Sequence, residues 1–335
     1  MTIKTEKRRI SSHPLYLICL PLYFSGSMSE FDAIFFHIRD MQDGHIPLPN
    51  QKKRKPNQFY MMFLMESPLN DNFPYERFGS YFNWTMTFRR DSDFHRPYGW
   101  VAPKDWKWHY AASANKSIDW SKYPIPTSKS QTKSTNNAKK KPVAWLVSNC
   151  HTRSQRENYV SKLSQHIPVD VYGHCGRNEC PNNDECPEHI QDNYMFYLSF
   201  ENSVCDDYVT EKFWTYLGGK LVPIVLGGAD YAKIAPPHSF INALDYQDPK
   251  DLANYLNYLI SNRTAYNEYF QWKGTGEMIN TKFFCRVCSL LHDEQRTRDE
   301  ASTYYNDINK WWRGRGICVK DSWRTHSNKT NNSAL

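Results

Sequence analysis

The sequence predicts an α/β protein of two doubly wound units with a cleft between them, on three observations. Residues 195–228 read as one strand–helix–strand crossover, residues 31–65 carry two short buried strands, and a polar stretch between Pro124 and Pro142 separates the two regions. At 335 residues the chain is also long for one ordinary core and suits two.

Taken in order, residues 1–27 match no element of this scheme. The apolar run from Pro14 to Phe24 follows basic residues, as a signal or anchor would, but it falls short of the roughly 20 residues that span a bilayer and contains Pro21. Residues 28–126 form the first unit, with strands over 31–37 and 59–65 that each end in polar residues. Residues 127–142 are rich in Ser, Thr, Asn and Lys without an apolar period, which is a basic linker or long loop. The second unit runs over 143–318 and opens with a strand at 143–147 and a helix at 156–166. In its crossover, residues 195–200 are a strand and Glu201-Asn202-Ser203 leaves it. Asp206 and Asp207 then offer N-cap oxygens to a helix over 208–217. Gly218-Gly219 ends that helix, and the strand over 221–226 closes at Gly227-Gly228. The ligand crevice of such a unit lies beyond the carboxyl ends of its strands. Residues 319–335 are a polar tail.

The formal charge of +7 raises nucleic acid as a partner, but the excess sits in three short runs, at 4–9, 52–55 and 129–141. A nucleic-acid binder places Lys and Arg on a folded face beside a reading motif, and none is present. A basic cleft for a nucleotide diphosphate accounts for the balance equally well. Eleven Trp and 22 Tyr suit carbohydrate, whose C–H groups pack on ring faces, although core packing is the ordinary use of any single ring.

Nine cysteines are accompanied by Asn-x-Ser/Thr sequons at Asn83, Asn115, Asn262, Asn328 and Asn331, which together point to an oxidising, glycosylating lumen. Cys150, Cys175, Cys180, Cys186, Cys205, Cys285, Cys288 and Cys318 are all disulfide candidates, with the connectivity open. His174, Cys175, Cys180, Cys186 and His189 form an alternative zinc cluster, but their spacing fits no common site.

A nucleotide-sugar donor leaves behind a charged diphosphate, so its site needs cations and free backbone N–H groups where negative charge grows. Thr210, Glu211 and Lys212 stand in the first turn of the crossover helix. Lys212 can meet phosphates while Glu211 faces a sugar ring that gains positive character as its bond breaks. On spacing alone, an ordinary Glu-Lys pair on a solvated helix face explains them as well.

The run from Phe196 to Trp214, FYLSFENSVCDDYVTEKFW, resembles the signature of the α1,3-fucosyltransferase family, glycosyltransferase family 10. The likeness continues collinearly through Val222 to Tyr231, Ala235 to Asn242 and Pro249 to Ala253, and upstream through Glu66-Ser-Pro68, Phe82 to Asp93 and Pro97-Tyr-Gly99. It covers roughly residues 30–318. The resemblance implies a GT-B fold, two Rossmann-like domains facing a cleft, with GDP-fucose held by the second. It implies inverting transfer of fucose without a cofactor or essential metal, and Asp91-Ser-Asp93 is then read as acceptor contact or structure. Glu66 matches the general base that takes the acceptor proton. Asn202, Tyr208, Thr210, Glu211 and Lys212 match the donor surroundings, with Glu211 near fucose and Lys212 on the diphosphate. Arg156 and Arg177 match phosphate partners, where a surface arginine is the ordinary reading of each.

Residues 274–280, Phe284 to Cys288 and Trp311 to Gly314 resemble the invertebrate and plant branch, which implies the Asn-linked N-acetylglucosamine of the N-glycan core as acceptor. Lewis-type transfer to lactosamine antennae is the alternative within the family, and a catalytically inactive lectin is the alternative outside it. The resemblance further implies Golgi membrane as the location, glycoproteins as partners, and an anchor and first strands ahead of residue 31 that residues 1–27 do not supply. An edge left unpaired in the first unit is the expected consequence.

Overall fold

The computed structural model describes residues 2–7, 17–22, 31–42, 48–55, 57–104, 118–123, 140–182, 184–293 and 303–319. They divide into two compact units. The first holds the described residues of Met1–Pro97 together with Thr281–Ile317, and the second those of Tyr98–Trp106, Ser117–Asn280 and the end of the chain. These bounds differ from the sequence reading, which left residues 98–126 in the first unit and 281–317 in the second. The linker at 127–142 lies mostly outside the described residues.

The first unit is a sheet in the order β2-β1-β3-β4-β5-β6. β3 (Ala33–His37), β4 (Phe59–Leu64), β5 (Trp84–Thr87) and β6 (Phe94–His95) run parallel. β1 (Thr2–Lys7) lies antiparallel to β3, with Thr2 opposite Ile34, and β2 (Leu17–Leu22) pairs antiparallel with β1. Residues 1–27, expected to match nothing, thus supply two strands, and the edge of β3 expected to be bare is covered at Ala33 and Ile34. Met61, Trp84, Met86 and Phe94 form the core with Val287, and the Phe59 and Trp84 rings stack at 3.9 Å. Val287 stands on α7 (Phe283–Leu291), which explains why 281–317 joins this unit. The following helix, α8 (Ile308–Arg313), is pinned by Trp312, whose indole N–H donates to Asp71 at 2.8 Å. Asp93 is structural: its Oδ2 accepts from Thr85 N–H at 2.8 Å and from the Tyr305 hydroxyl at 2.9 Å. The Asn83 sequon is also spent inside the fold. Asn83 is buried, accepts from Tyr60 N–H and donates to Thr303 O, both at 2.9 Å.

The second unit is a parallel sheet in the order β13-β12-β10-β8-β9. Its strands are β8 (Lys141–Leu146), β9 (Val169–Tyr172), β10 (Tyr194–Phe200), β12 (Val222–Leu226) and β13 (Ile241–Asn242). All seven residues of β10 are buried, as a central strand covered on both faces requires. The helices are α2 (Arg156–Leu163), α3 (Cys186–Asn193), α4 (Glu211–Leu217), α5 (Pro249–Ser261) and α6 (Arg263–Glu268). The chain passes from β8 outward to β9, then back across β8 to β10, so the strand order reverses between β8 and β10. β7 (Val101–Pro103) belongs here because it pairs with β14 (Gly276–Met278), while Val101 and Ala102 pack with Phe213, Trp214 and Trp272.

The crossover helix begins three residues after the expected start. Thr210, whose backbone is extended at φ −99° and ψ −172°, takes the cap position rather than an aspartate.

Three disulfides link Cys150 to Cys175, Cys180 to Cys186, and Cys205 to Cys318, and Cys288 is disulfide-bonded as well. Cys285 is an exposed free thiol, which corrects its place among the disulfide candidates. The zinc alternative falls too, since the sulfurs of Cys175, Cys180 and Cys186 are consumed in S–S bonds. The Cys205–Cys318 bridge joins β11 (Val204–Cys205) to β15 (Cys318–Val319), two short antiparallel strands beyond the end of β10. No helix among the described residues is long and apolar enough to cross a membrane. Asn115, Asn328 and Asn331 lie outside the described residues.

Candidate functional site

The loops after β8 and β10 flank the point where strand order reverses, which is where doubly wound sheets open a ligand crevice. Each delivers a charged residue. From the β8 side comes Arg156, the first residue of α2, and it is buried rather than on the surface. One guanidinium nitrogen donates to Phe200 O at 2.5 Å and another to Asn149 O at 3.3 Å, while Nε has no partner among the described residues. Burial lowers its pKa and the nearby Glu201 opposes the shift; a guanidinium remains cationic either way.

From the β10 side comes a chain of linked contacts. Glu201 follows the strand directly and is fully buried. Its carboxylate accepts from Thr210 N–H at 2.8 Å and from the Thr210 hydroxyl at 2.9 Å. The Lys212 ammonium donates to Thr210 Oγ1 and to Glu211 Oε1, both at 2.9 Å, and stands 3.8 Å from Glu201 Oε2. Ser199 Oγ donates to Lys212 O at 2.7 Å, fixing this turn to the end of β10. The Thr210 N–H, expected to be free for phosphate, is therefore already taken.

Electrostatics separate the two glutamates. Burial pushes the Glu201 carboxyl up, with Lys212 and the Thr210 hydrogen bonds acting against it. Burial would also raise Glu211, but the Lys212 charge and hydrogen bond, with bonds at its own backbone and Thr210, hold it below the usual carboxylate range.

Asn202 and Tyr208 belong to the same loop. Asn202 O accepts from Ser154 N–H at 3.1 Å, joining the loop after β8 to the loop after β10, and its Oδ1 is buried without a partner among the described residues. Tyr208 is buried. Gly228, after β12, has no room for a side chain: an added Cβ would stand 2.8 Å from the Cys205 backbone. Arg177 is exposed in the turn after β9, whose Cys175 is bridged to Cys150 after β8, and its side chain joins none of these contacts.

Glu66 stands in the first unit just past the carboxyl end of β4. Its Oε1 accepts from Ser67 N–H at 2.8 Å and from Asn70 Nδ2 at 3.3 Å, so it holds the turn that begins at Pro68. Its Oε2 lies 3.8 Å from the exposed Arg39 guanidinium.

Sequence reasoning placed Thr210, Glu211 and Lys212 in one turn, where the structure has Lys212 bonded to the other two, and it missed Glu201. The available signal was a glutamate placed directly after an apolar strand, but its partner lies nine residues on and only the fold closes that distance.

Residues 136–311 match the family model described as glycosyltransferase family 10 (fucosyltransferase), C-terminal, and residues 13–99 match that of the fucosyltransferase N-terminal region. The second match begins inside the segment that the sequence reading left unassigned. Glycoprotein 3-alpha-L-fucosyltransferase A of Drosophila melanogaster is 39% identical over 288 residues, covering 84% of this chain and 53% of that protein. Alpha-(1,3)-fucosyltransferase C of the same organism is 36% identical over 290 residues, covering 86% of this chain and 67% of that protein. The chain thus spans about half the length of the first relative. A crystal structure of an alpha1,3-fucosyltransferase aligns with a TM-score of 0.47 at 17% identity, over 83% of this chain and 79% of that one.

Proposed function

Because this chain belongs to glycosyltransferase family 10, the fucosyltransferases, we propose that it transfers L-fucose from GDP-β-L-fucose, with inversion, to N-acetylglucosamine of N-glycans in α1,3 linkage. The observation that carries the reading is the group at the strand-order reversal, where Lys212, Arg156 and the Glu201–Thr210 pair meet the end of β10.

In this reaction the bond from the fucose anomeric carbon to the diphosphate breaks, and its electron pair leaves with GDP. The acceptor hydroxyl oxygen forms the new bond from the opposite face and gives up its proton. Lys212 and Arg156 offset the charge that grows on the departing diphosphate. Glu211, kept ionised by Lys212, faces the positive character of the sugar ring. Glu66 receives the acceptor proton. Cationic side chains do the work that a divalent ion does in other nucleotide-sugar enzymes, so turnover continues in a chelator.

The core N-acetylglucosamine is the acceptor on this reading, supported by likeness to a relative named as a glycoprotein 3-alpha-L-fucosyltransferase. The disulfides support work in an oxidising lumen, that of the Golgi. The test is incubation with GDP-fucose and separate pools of core-exposed and lactosamine-bearing glycans, with and without EDTA, followed by linkage mapping. We expect α1,3-fucose on the innermost N-acetylglucosamine. Transfer to antennae alone overturns the core assignment, and GDP binding without turnover overturns the enzyme reading.

A further inference from the structure

We infer that Glu201 is a positioning residue for the donor diphosphate: through Thr210 and by its own charge it holds the Lys212 ammonium in place from behind. This rests on the donor reading above.

A carboxylate taken wholly out of water is unfavourable unless hydrogen bonds and an opposite charge compensate it. Glu201 has both, in three contacts that all lead toward Lys212. It accepts from Thr210 N–H and from the Thr210 hydroxyl, and Lys212 donates to that same hydroxyl oxygen. Thr210 therefore acts as a relay: its hydroxyl gives its proton to Glu201 and turns its lone pairs to the ammonium. The direct ion pair at 3.8 Å adds attraction along the same line.

The three acceptors around Lys212 differ in freedom. Glu201 and Thr210 are buried, whereas the Glu211 side chain is 61% exposed. When a diphosphate arrives, Glu211 is the partner that can yield, and the buried pair is what keeps the ammonium aimed. A glutamine of the same shape would still accept from Thr210. It would lack the charge, and it could present an N–H to Lys212 where an oxygen now stands. Burial, which raises the Glu201 carboxyl, makes this charge sensitive to pH as well. The charged and titratable groups facing it are Lys212 and Glu211 from α4, Arg156 from α2, and Tyr231 after β12.

The test measures GDP alone by titration calorimetry, with melting temperature and steady-state kinetics in parallel, on the full chain and on Glu201→Gln, Glu201→Asp and Thr210→Val. We expect Glu201→Gln to lose roughly 10- to 100-fold in GDP affinity, the scale of a hydrogen-bonded charge removed. The KM for GDP-fucose should rise with it and the acceptor KM should not. Glu201→Asp keeps the charge and should recover part of the loss. If Glu201→Gln does not fold, Thr210→Val carries the test, because it breaks the relay while leaving the carboxylate. An unaltered GDP affinity in a folded Glu201→Gln, or in Thr210→Val where the first is unfolded, overturns the inference. So does a Glu201→Asp no better than Glu201→Gln. Failure of the parent protein to bind GDP is a separate result, and it overturns the donor reading itself.

Discussion

Glu201 and Lys212 form a half-hidden ion pair in which the carboxylate is wholly buried, the side chain of the lysine is 21% exposed, and Thr210 bridges the two. This asymmetry divides the labour, with the anion anchoring the pair and the cation reaching outward.

Lys212→Ala should therefore weaken GDP binding and turnover together, because on the proposed donor reading the same charge meets bound and departing phosphate. It also strands the buried Glu201 carboxylate, which should lower stability by about 1–3 kcal/mol. Chemical denaturation beside GDP-fucose kinetics checks both, and unchanged kinetics would return Lys212 to an ordinary surface role.

Glu66→Gln separates chemistry from turn geometry. An amide oxygen can still accept from Ser67 N–H, so stability should change by less than about 1 kcal/mol. Turnover should fall by about two orders of magnitude or more, since an amide cannot take a proton, with GDP affinity intact. A fully active variant would reduce Glu66 to a residue that caps the turn.

The raised Glu201 carboxyl has a pH signature in folding. A carboxyl whose folded pKa exceeds its unfolded value of about 4.3 contributes stability that is complete below that value and is lost as pH rises through the folded one. As pH rises above about 4.3 the parent protein should lose stability relative to Glu201→Gln, which has no such proton. Parallel melting curves across that range would refute the shift.

Asn262 and Asn83 should part company as glycan acceptors. Asn262 caps α6 with Oδ1, accepting from Ala265 N–H at 3.1 Å, and its Nδ2 faces the exposed Tyr258 hydroxyl, so a glycan on that nitrogen leaves the cap in place. Asn83 uses both ends of its amide inside the first unit. Glycopeptide mapping of protein from a secretory host should find Asn262 occupied and Asn83 bare, with Asn262→Gln removing the first signal.

The Cys205–Cys318 bridge closes the longest loop of the three mapped disulfides, with a sequence separation of 113. Replacing Cys318 by Ser should cost about 2–5 kcal/mol in denaturant unfolding, because the open chain regains the entropy that the bridge removes. Thiol labelling of the native parent should mark Cys285, the exposed free cysteine.

What the sequence determined by itself is the part governed by local pattern. The strands at residues 31–37, 59–65, 143–147, 195–200 and 221–226 appear within a few residues of the reading, because an apolar run between polar breaks has few other ways to satisfy its backbone. The Thr210-Glu211-Lys212 turn was legible for the same reason, since it follows a strand and opens a helix. Tertiary structure decided what depends on contacts between distant residues: that Val287 and Trp312 return to the first unit, that Val101 pairs with Met278 in the second, and that Cys285 stays free while Cys205 finds Cys318. It also decided that Arg156 is buried and that Glu201 stands behind Lys212. Burial and charge pairing are properties of a neighbourhood, and a neighbourhood exists only once the chain has closed.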